Sequence, residues 1–117
     1  MGLRNVQADV ALPSAARAAG TFSSGPITAA GGAADVLLSV HCTAATGGTP
    51  TLDASLEESA DGSSWTAVPG SSVTQLTAAG NRLAYAAITK NYVRVTSTVA
   101  GTTPSVTYRA AVWIRPE

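Results

Sequence analysis

The chain has 117 residues, enough for one domain with one core and too few for two ordinary ones. Seven basic and seven acidic side chains cancel and only 12% of residues are charged, which leaves no basic field for nucleic acid and no polybasic patch for an anionic membrane. A single Cys excludes an intramolecular disulfide and a Cys-based zinc cage, and a single His excludes a multi-His metal centre.

The opening residues, Met1-Gly2-Leu3-Arg4-Asn5-Val6, lack the apolar core of a secretory signal, and position 6 lacks the Ser or Thr of a myristoylation signal. No apolar run approaches the roughly 18 residues of a spanning helix. These features predict a protein made in a reducing cytosol and not exported by the usual route. Residues 11–34 are rich in Ala, Gly and Ser. Ala15-Ala16-Arg17-Ala18-Ala19, between Pro13 and Gly20, fits a short helix by propensity and by its flanks. A helix this short is marginal in water, so residues 1–34 are read as an extended N-terminal arm or edge strand that orders against a neighbour. Residues 35–117 are read as the folded domain.

That domain reads as strands. Val36, Leu38, Val40, Cys42 and Ala44 alternate with Leu37, Ser39, His41 and Thr43, the period of a half-buried strand. Leu52–Glu57, Tyr92–Val99 and Val106–Arg115 alternate in the same way, with shorter candidates at Val73–Thr77 and Arg82–Ala87. Thr and Val dominate, as strand propensity requires. Turn signals recur at Gly47-Gly48, Asp61-Gly62, Pro69-Gly70, Gly80-Asn81 and Gly101, a spacing that predicts an all-β sandwich. Thr46-Gly47-Gly48-Thr49-Pro50-Thr51-Leu52 resembles Ala100-Gly101-Thr102-Thr103-Pro104-Ser105-Val106, each between two alternating runs. The repeat predicts two similar hairpins, 36–59 and 92–115, with Gly at the tight turn and Pro at the next strand's entry.

Little in the chain points to catalysis. His41 and Cys42 are adjacent on a strand, so they face opposite ways and cannot act together. Cys42 is expected inward as a small core residue and His41 at the surface. Asp53, Glu57, Glu58 and Asp61 suggest a cation or glycosidase site, but they lack both the calcium-loop spacing and a second carboxylate placed across a cleft. A solvated face is the expectation. Asp61-Gly62-Ser63-Ser64-Trp65 reads as a tight turn whose tip is free to touch a partner, with Trp65 covering one end of a core poor in large side chains. Trp113 shares the register of Arg109, opposite to Val112 and Ile114. If the latter face the core, Trp113 faces out beside Arg, as an interface anchor does; cover for the second sheet or the arm is the alternative.

Three segments carry a resemblance: Leu56-Glu57-Glu58-Ser59-Ala60-Asp61-Gly62-Ser63-Ser64-Trp65-Thr66-Ala67-Val68, Asn91-Tyr92-Val93-Arg94-Val95 and Gly101-Thr102-Thr103-Pro104-Ser105-Val106-Thr107-Tyr108. With Pro13–Ala18 and Gly47–Leu52, they resemble a family of small β-sandwich structural proteins of tailed bacteriophages, the head-decoration and minor-capsid type. A second resemblance, carried by Ser59-x-Asp61-Gly62-x-x-Trp65 and Tyr92-Val93-Arg94-Val95, is to discoidin-like modules that bind sugars or lipids through exposed loops.

The expectation is therefore a single antiparallel β-sandwich, jelly-roll-like or immunoglobulin-like, with an extended N-terminal arm. The phage resemblance implies a virion structural protein, most simply a capsid decoration or minor capsid subunit on the outside of the head shell, made in the host bacterial cytoplasm. A tail or head–tail protein is the alternative, and a carbohydrate-binding module in host adsorption is the alternative of another class. No enzymatic activity, catalytic residue, cofactor or metal is expected. The implied partners are the major capsid protein or other virion proteins, and further copies of the chain, with a trimer at a symmetry axis as one form; neither nucleic acid nor membrane is expected. Arg17, Phe22, Asp61, Trp65, Tyr92, Arg94, Arg109 and Trp113 are the interface candidates. The expected mechanism is adhesion, with the arm adding backbone to a neighbour's sheet edge.

Overall fold

The structure, a computed structural model, describes residues 7–29 and 33–116. Among the described residues seven strands follow one another: β1 (Gln7–Arg17), β2 (Gly20–Ser23), β3 (Ile27–Thr28), β4 (Ala34–Ser59), β5 (Thr66–Ala67), β6 (Gly80–Ile88) and β7 (Tyr92–Pro116). They form one antiparallel hydrogen-bonded sheet with β4 and β7 at its centre, paired along nearly their whole lengths.

Both central strands bend at the repeated motif, where their pairing slips between Thr46 and Thr51. Gly47 and Gly101 have φ of 107° and 131°, and Thr49 and Thr103 have φ of 48° and 42°. A β-branched residue in that region is strained. The strain is held because each bend packs on the other: a Cβ on Gly47 would lie 2.7 Å from the Thr103 carbonyl oxygen, and one on Gly101 would lie 2.8 Å from the Gly48 carbonyl oxygen.

This corrects the hairpin expectation for 36–59 and 92–115. The two alternating runs within each stretch do not pair with each other; each pairs with a run of the other stretch. The glycines and prolines bend a continuing strand instead of reversing it, because a partner strand bends alongside.

The bends divide the sheet into two layers. The first has the order β1, β7 (106–116), β4 (34–42), β6. The second has β2 and β3 on one side of β7 (92–99), then β4 (52–59), then β5. From β5 the chain runs on beside β4, through backbone bonds from Val68 to Leu56, Val73 to Ala54 and both ways between Leu76 and Leu52. Residues 18–19 cross between layers at the bend end, and 89–91 cross at the far end. Such short links hold the layers at about the 10 Å separation of packed sheets. At the far end Glu58 Oε1 accepts the Thr89 backbone N–H at 2.8 Å.

With each half of β4 and β7 counted separately and β2 joined to β3, the eight described strands cross between layers at every step except from β4 (52–59) to its neighbour β5, as in a jelly roll. The immunoglobulin-like alternative, with layers of four and three strands, does not describe this connectivity. The expected sandwich is present, and the connectivity selects between its two forms.

The inner faces close on one core. Val36, Leu38, Val40 and Cys42 from β4 meet Tyr108, Ala110, Val112 and Ile114 from β7 in one layer; Leu52, Leu56, Val93, Val95 and Val99 supply the other. All are buried, as the period-two pattern requires. Of the segment expected as an arm, residues 1–6 and 30–32 lie outside the described residues. Residues 7–28 are extended, and they pair with β7 of their own chain in both layers. The boundary at 34/35 falls inside β4, after its first residue Ala34.

Candidate interaction surface

Because neighbouring residues on a strand face opposite ways, the pattern that fills the core also fixes what each layer presents outward. Register then sets which outward residues meet. In the first layer, Ala8, Trp113, Leu37 and Tyr85 lie opposite one another across four strands, and Val10, Ala111, Ser39 and Leu83 form the adjacent row. Four large apolar residues stay notably exposed among the described residues: Val10 (57%), Leu83 (64%), Tyr85 (61%) and Trp113 (38%). All four belong to these two rows. A shallow depression lined by Ala8, Val10, Ala111 and Trp113 runs between β1 and β7. Polar groups flank the two rows at both ends: Arg115 pairs with Asp35 at 3.0 Å at the far end, and toward the bends Arg109 lies opposite His41, whose ring bonds Asn81. Single exposed apolar side chains are ordinary, whereas a contiguous group marks a contact surface.

The outward face of the second layer has the opposite character. Thr21 bonds Thr98 at 3.4 Å and Ser23 donates to Thr96 at 3.2 Å. Gln75 Nε2 donates to both Asp53 carboxylate oxygens at 3.1 and 2.9 Å. Arg94 Nε donates to Glu57 Oε1 at 2.7 Å, and its guanidinium lies 4.4 Å from the centre of the Trp65 ring. One face of Trp65 is thus covered from within the chain.

The sequence-derived candidates do not gather in one place. Trp113 and Arg109 face out from the first layer, with Trp113 opposite Ala8 of β1. Tyr92, Arg94, Trp65 and Asp61 belong to the second layer and its β4–β5 turn. Asp61 Oδ1 accepts the backbone N–H groups of Ser63 and Ser64 at 2.8 and 3.0 Å and the Ser59 hydroxyl at 2.9 Å. These donors, the backbone ones foremost, lower its pKa to about 2. Arg17 is a brace: its guanidinium lies 4.5 Å from the Tyr108 ring centre and 5.8 Å from that of Phe22, and it donates to the Pro13, Ala15 and Tyr108 carbonyls.

Val10, Leu37, Leu83 and Tyr85 were missed. Leu83 and Tyr85 alternate within Arg82–Ala87, but only cross-strand register shows that they continue a row through Trp113. Cys42 is buried, and burial raises its thiol pKa. His41 is exposed on the other side of the strand, as expected. Among the described residues no group of three or more His, Cys, Asp and Glu side chains gathers to hold a metal, and no helix is long and apolar enough to cross a membrane.

No family model and no curated protein matches the chain. Among solved structures, a chain from the structure of infectious bursal disease virus, Gx strain, is similar with a TM-score of 0.64 and 14% identity. The match covers 97% of this chain and 32% of that one, so this chain spans about a third of its neighbour's length. At that identity the likeness is one of fold: the two-layer sandwich built here has a counterpart within a chain of a virus structure.

Proposed function

We propose that this protein is a virion structural subunit, a capsid decoration or minor capsid protein of a tailed bacteriophage that seats on the outside of the head shell through the outward face of its first layer. The observation that carries the reading is the division between the two outward faces. The exposed Val10, Leu83, Tyr85 and Trp113 share one face, while the other presents no large exposed apolar side chain among the described residues and is lined with paired hydroxyls suited to water. A domain with one apolar and one hydrated face has a defined inside and outside once it is laid on a larger assembly. The fold likeness to a virus-particle chain supports the same reading, as does the resemblance of the turn and strand motifs to phage head proteins. The contact is assigned to the sheet face, and not to strand donation by residues 1–34, because 7–28 are engaged with β7. Repetition over a shell multiplies a modest contact through avidity.

Cosedimentation with isolated phage heads and, separately, with tails tests this. Head binding is expected, lost on Trp113→Lys or Val10→Lys and retained on Thr96→Lys, which lies on the hydrated face. Binding to tails alone would favour the tail alternative. Retention of head binding by the Trp113 and Val10 variants would reject the sheet-face assignment. Glycan binding lost on Trp113→Lys would favour the adsorption module.

A further inference from the structure

Each layer of this sandwich has two edges, and three of the four are obstructed. On β1 the pairing slips between Val10 and Leu12 and again between Leu12 and Ala15. Pro13 offers no N–H there, and Arg17 takes up the Pro13 and Ala15 carbonyls at 2.8 and 3.3 Å. The β2–β3 edge is two short pieces broken around Ser24, whose hydroxyl accepts the Val95 N–H at 3.0 Å. The β5 edge is two residues long. Beyond it Ser71 fills a gap in the same way, accepting the Leu56 N–H at 3.0 Å. Short strands, bulges and proline are the usual means of keeping edges from pairing.

The remaining edge differs. β6 runs for nine residues, Gly80–Ile88, in unbroken register with β4. It has no proline and one charged residue, Arg82, near one end. No described residue pairs with its outer side. A regular edge of this length, about 30 Å, presents free N–H and C=O groups that another strand can satisfy.

We propose that the open edge of β6 is a self-pairing site: a second copy of this chain adds its own β6 antiparallel, centred on Ala84, joining two four-stranded layers into one of eight strands. The occupant follows from the geometry. Antiparallel pairing of one strand with its copy is two-fold symmetric and closes at two subunits. Centring on Ala84 is the one register that overlaps all nine residues. Opposed residues share a face in antiparallel pairs, so it sets Leu83 against the partner's Tyr85, twice by symmetry. Those are the two most exposed large apolar side chains described. Arg82 then lies opposite the partner's Ala86, away from the like charge of the partner's Arg82. The other edges fit poorly as occupants, being bulged or short. A single strand pair with two apolar contacts is smaller than the roughly 800 Å² per partner of a standard interface, so the dimer forms at high concentration in solution and tightens where copies are held together. The pairing also extends the apolar face across two copies, but it stands on the edge and not on shell binding.

Sedimentation velocity of the full chain from about 1 μM to about 1 mM is expected to show a monomer giving way to a species of twice the mass. Over the same range, amide exchange should slow at alternate residues of β6. Leu83→Lys and Tyr85→Lys, both at exposed positions, should each weaken the dimer at least about tenfold, or ~1.4 kcal/mol. Trp113→Lys should leave it unchanged while removing head binding, so this proposal and the preceding one fail separately. A monomer throughout with unaltered β6 exchange, a trimer, or a dimer indifferent to both substitutions would overturn the pairing. Exchange in the wild-type chain decides the matter even if a variant fails to fold.

Discussion

The Tyr108 hydroxyl is buried between the layers, 2.6 Å from Ser97 Oγ, and Ser97 in turn donates to the Phe22 carbonyl at 3.1 Å. Tyr108 therefore donates to Ser97, and the three groups join both layers to β2. Burial raises the tyrosine pKa, opposed by the Ser97 hydroxyl and by the charge of Arg17. Ser97→Ala strands the tyrosine proton in an apolar site and is expected to cost about 1–3 kcal/mol in denaturant unfolding; an unchanged midpoint would show that water reaches the site. Asp61 lends itself to a pH test. Its pKa falls from an ordinary value of 3.8 to about 2, so the turn's stabilisation is complete above pH 3.8 and is lost as the pH drops toward about 2. Amide exchange at Ser63 and Ser64 should accelerate through that window, whereas Asp61→Asn should exchange without the acid step. Tyr92 and Arg94 were both legible as outward residues from alternation alone. That Arg94 is engaged by Glu57 and Trp65 was not, because those partners come from other strands.

At the scale of elements, the alternating runs were readable because one face of every strand is buried, which writes a period of two into the sequence. The order of pairing was not readable. A Gly-x-Thr-Pro motif between two alternating runs has the local chemistry of a hairpin turn, and only a second bend packed against it makes the strand continue into the other layer. Gly101→Ala tests this. It would set a Cβ 2.8 Å from the carbonyl oxygens of both Gly48 and Thr49, at a φ of 131°, and is expected to destabilise by at least about 2 kcal/mol in thermal or urea unfolding. Gly25→Ala meets nothing within 4 Å and should stay within about 0.5 kcal/mol. A loss at Gly101 as small as that expected at Gly25 would mean that the bend tolerates a side chain. The N-terminal segment shows the same limit. Its small residues fit an arm, a helix or an edge strand equally well, and the β7 edges beside it decide the outcome.

For the whole molecule, the consequence of the fold is polarity. Two central strands that each serve both layers leave four edges and two outward faces, and each differs in kind. One face is apolar and one hydrated; one edge is open and three are obstructed. Both proposals use this asymmetry: the face meets a shell, and the edge meets a second copy. The sequence placed Trp113 and Arg109 outside, which located one end of the apolar face. The rest of the face comes from β1, β4 and β6, separated by up to about 75 positions in a chain of 117 residues, and sequence spacing carries no information about which of them meet.

What the chain alone determined is the class of the protein: all-β, half-buried strands, one core, neutral overall. Those follow from periodicity, composition and charge, which are local or additive. What the tertiary structure decided is the jelly-roll connectivity, the bends in place of hairpins, and the gathering of Val10, Leu37, Leu83, Tyr85 and Trp113 on one face. Each of these depends on register between strands distant in sequence, which is fixed only when the two layers close over their shared core.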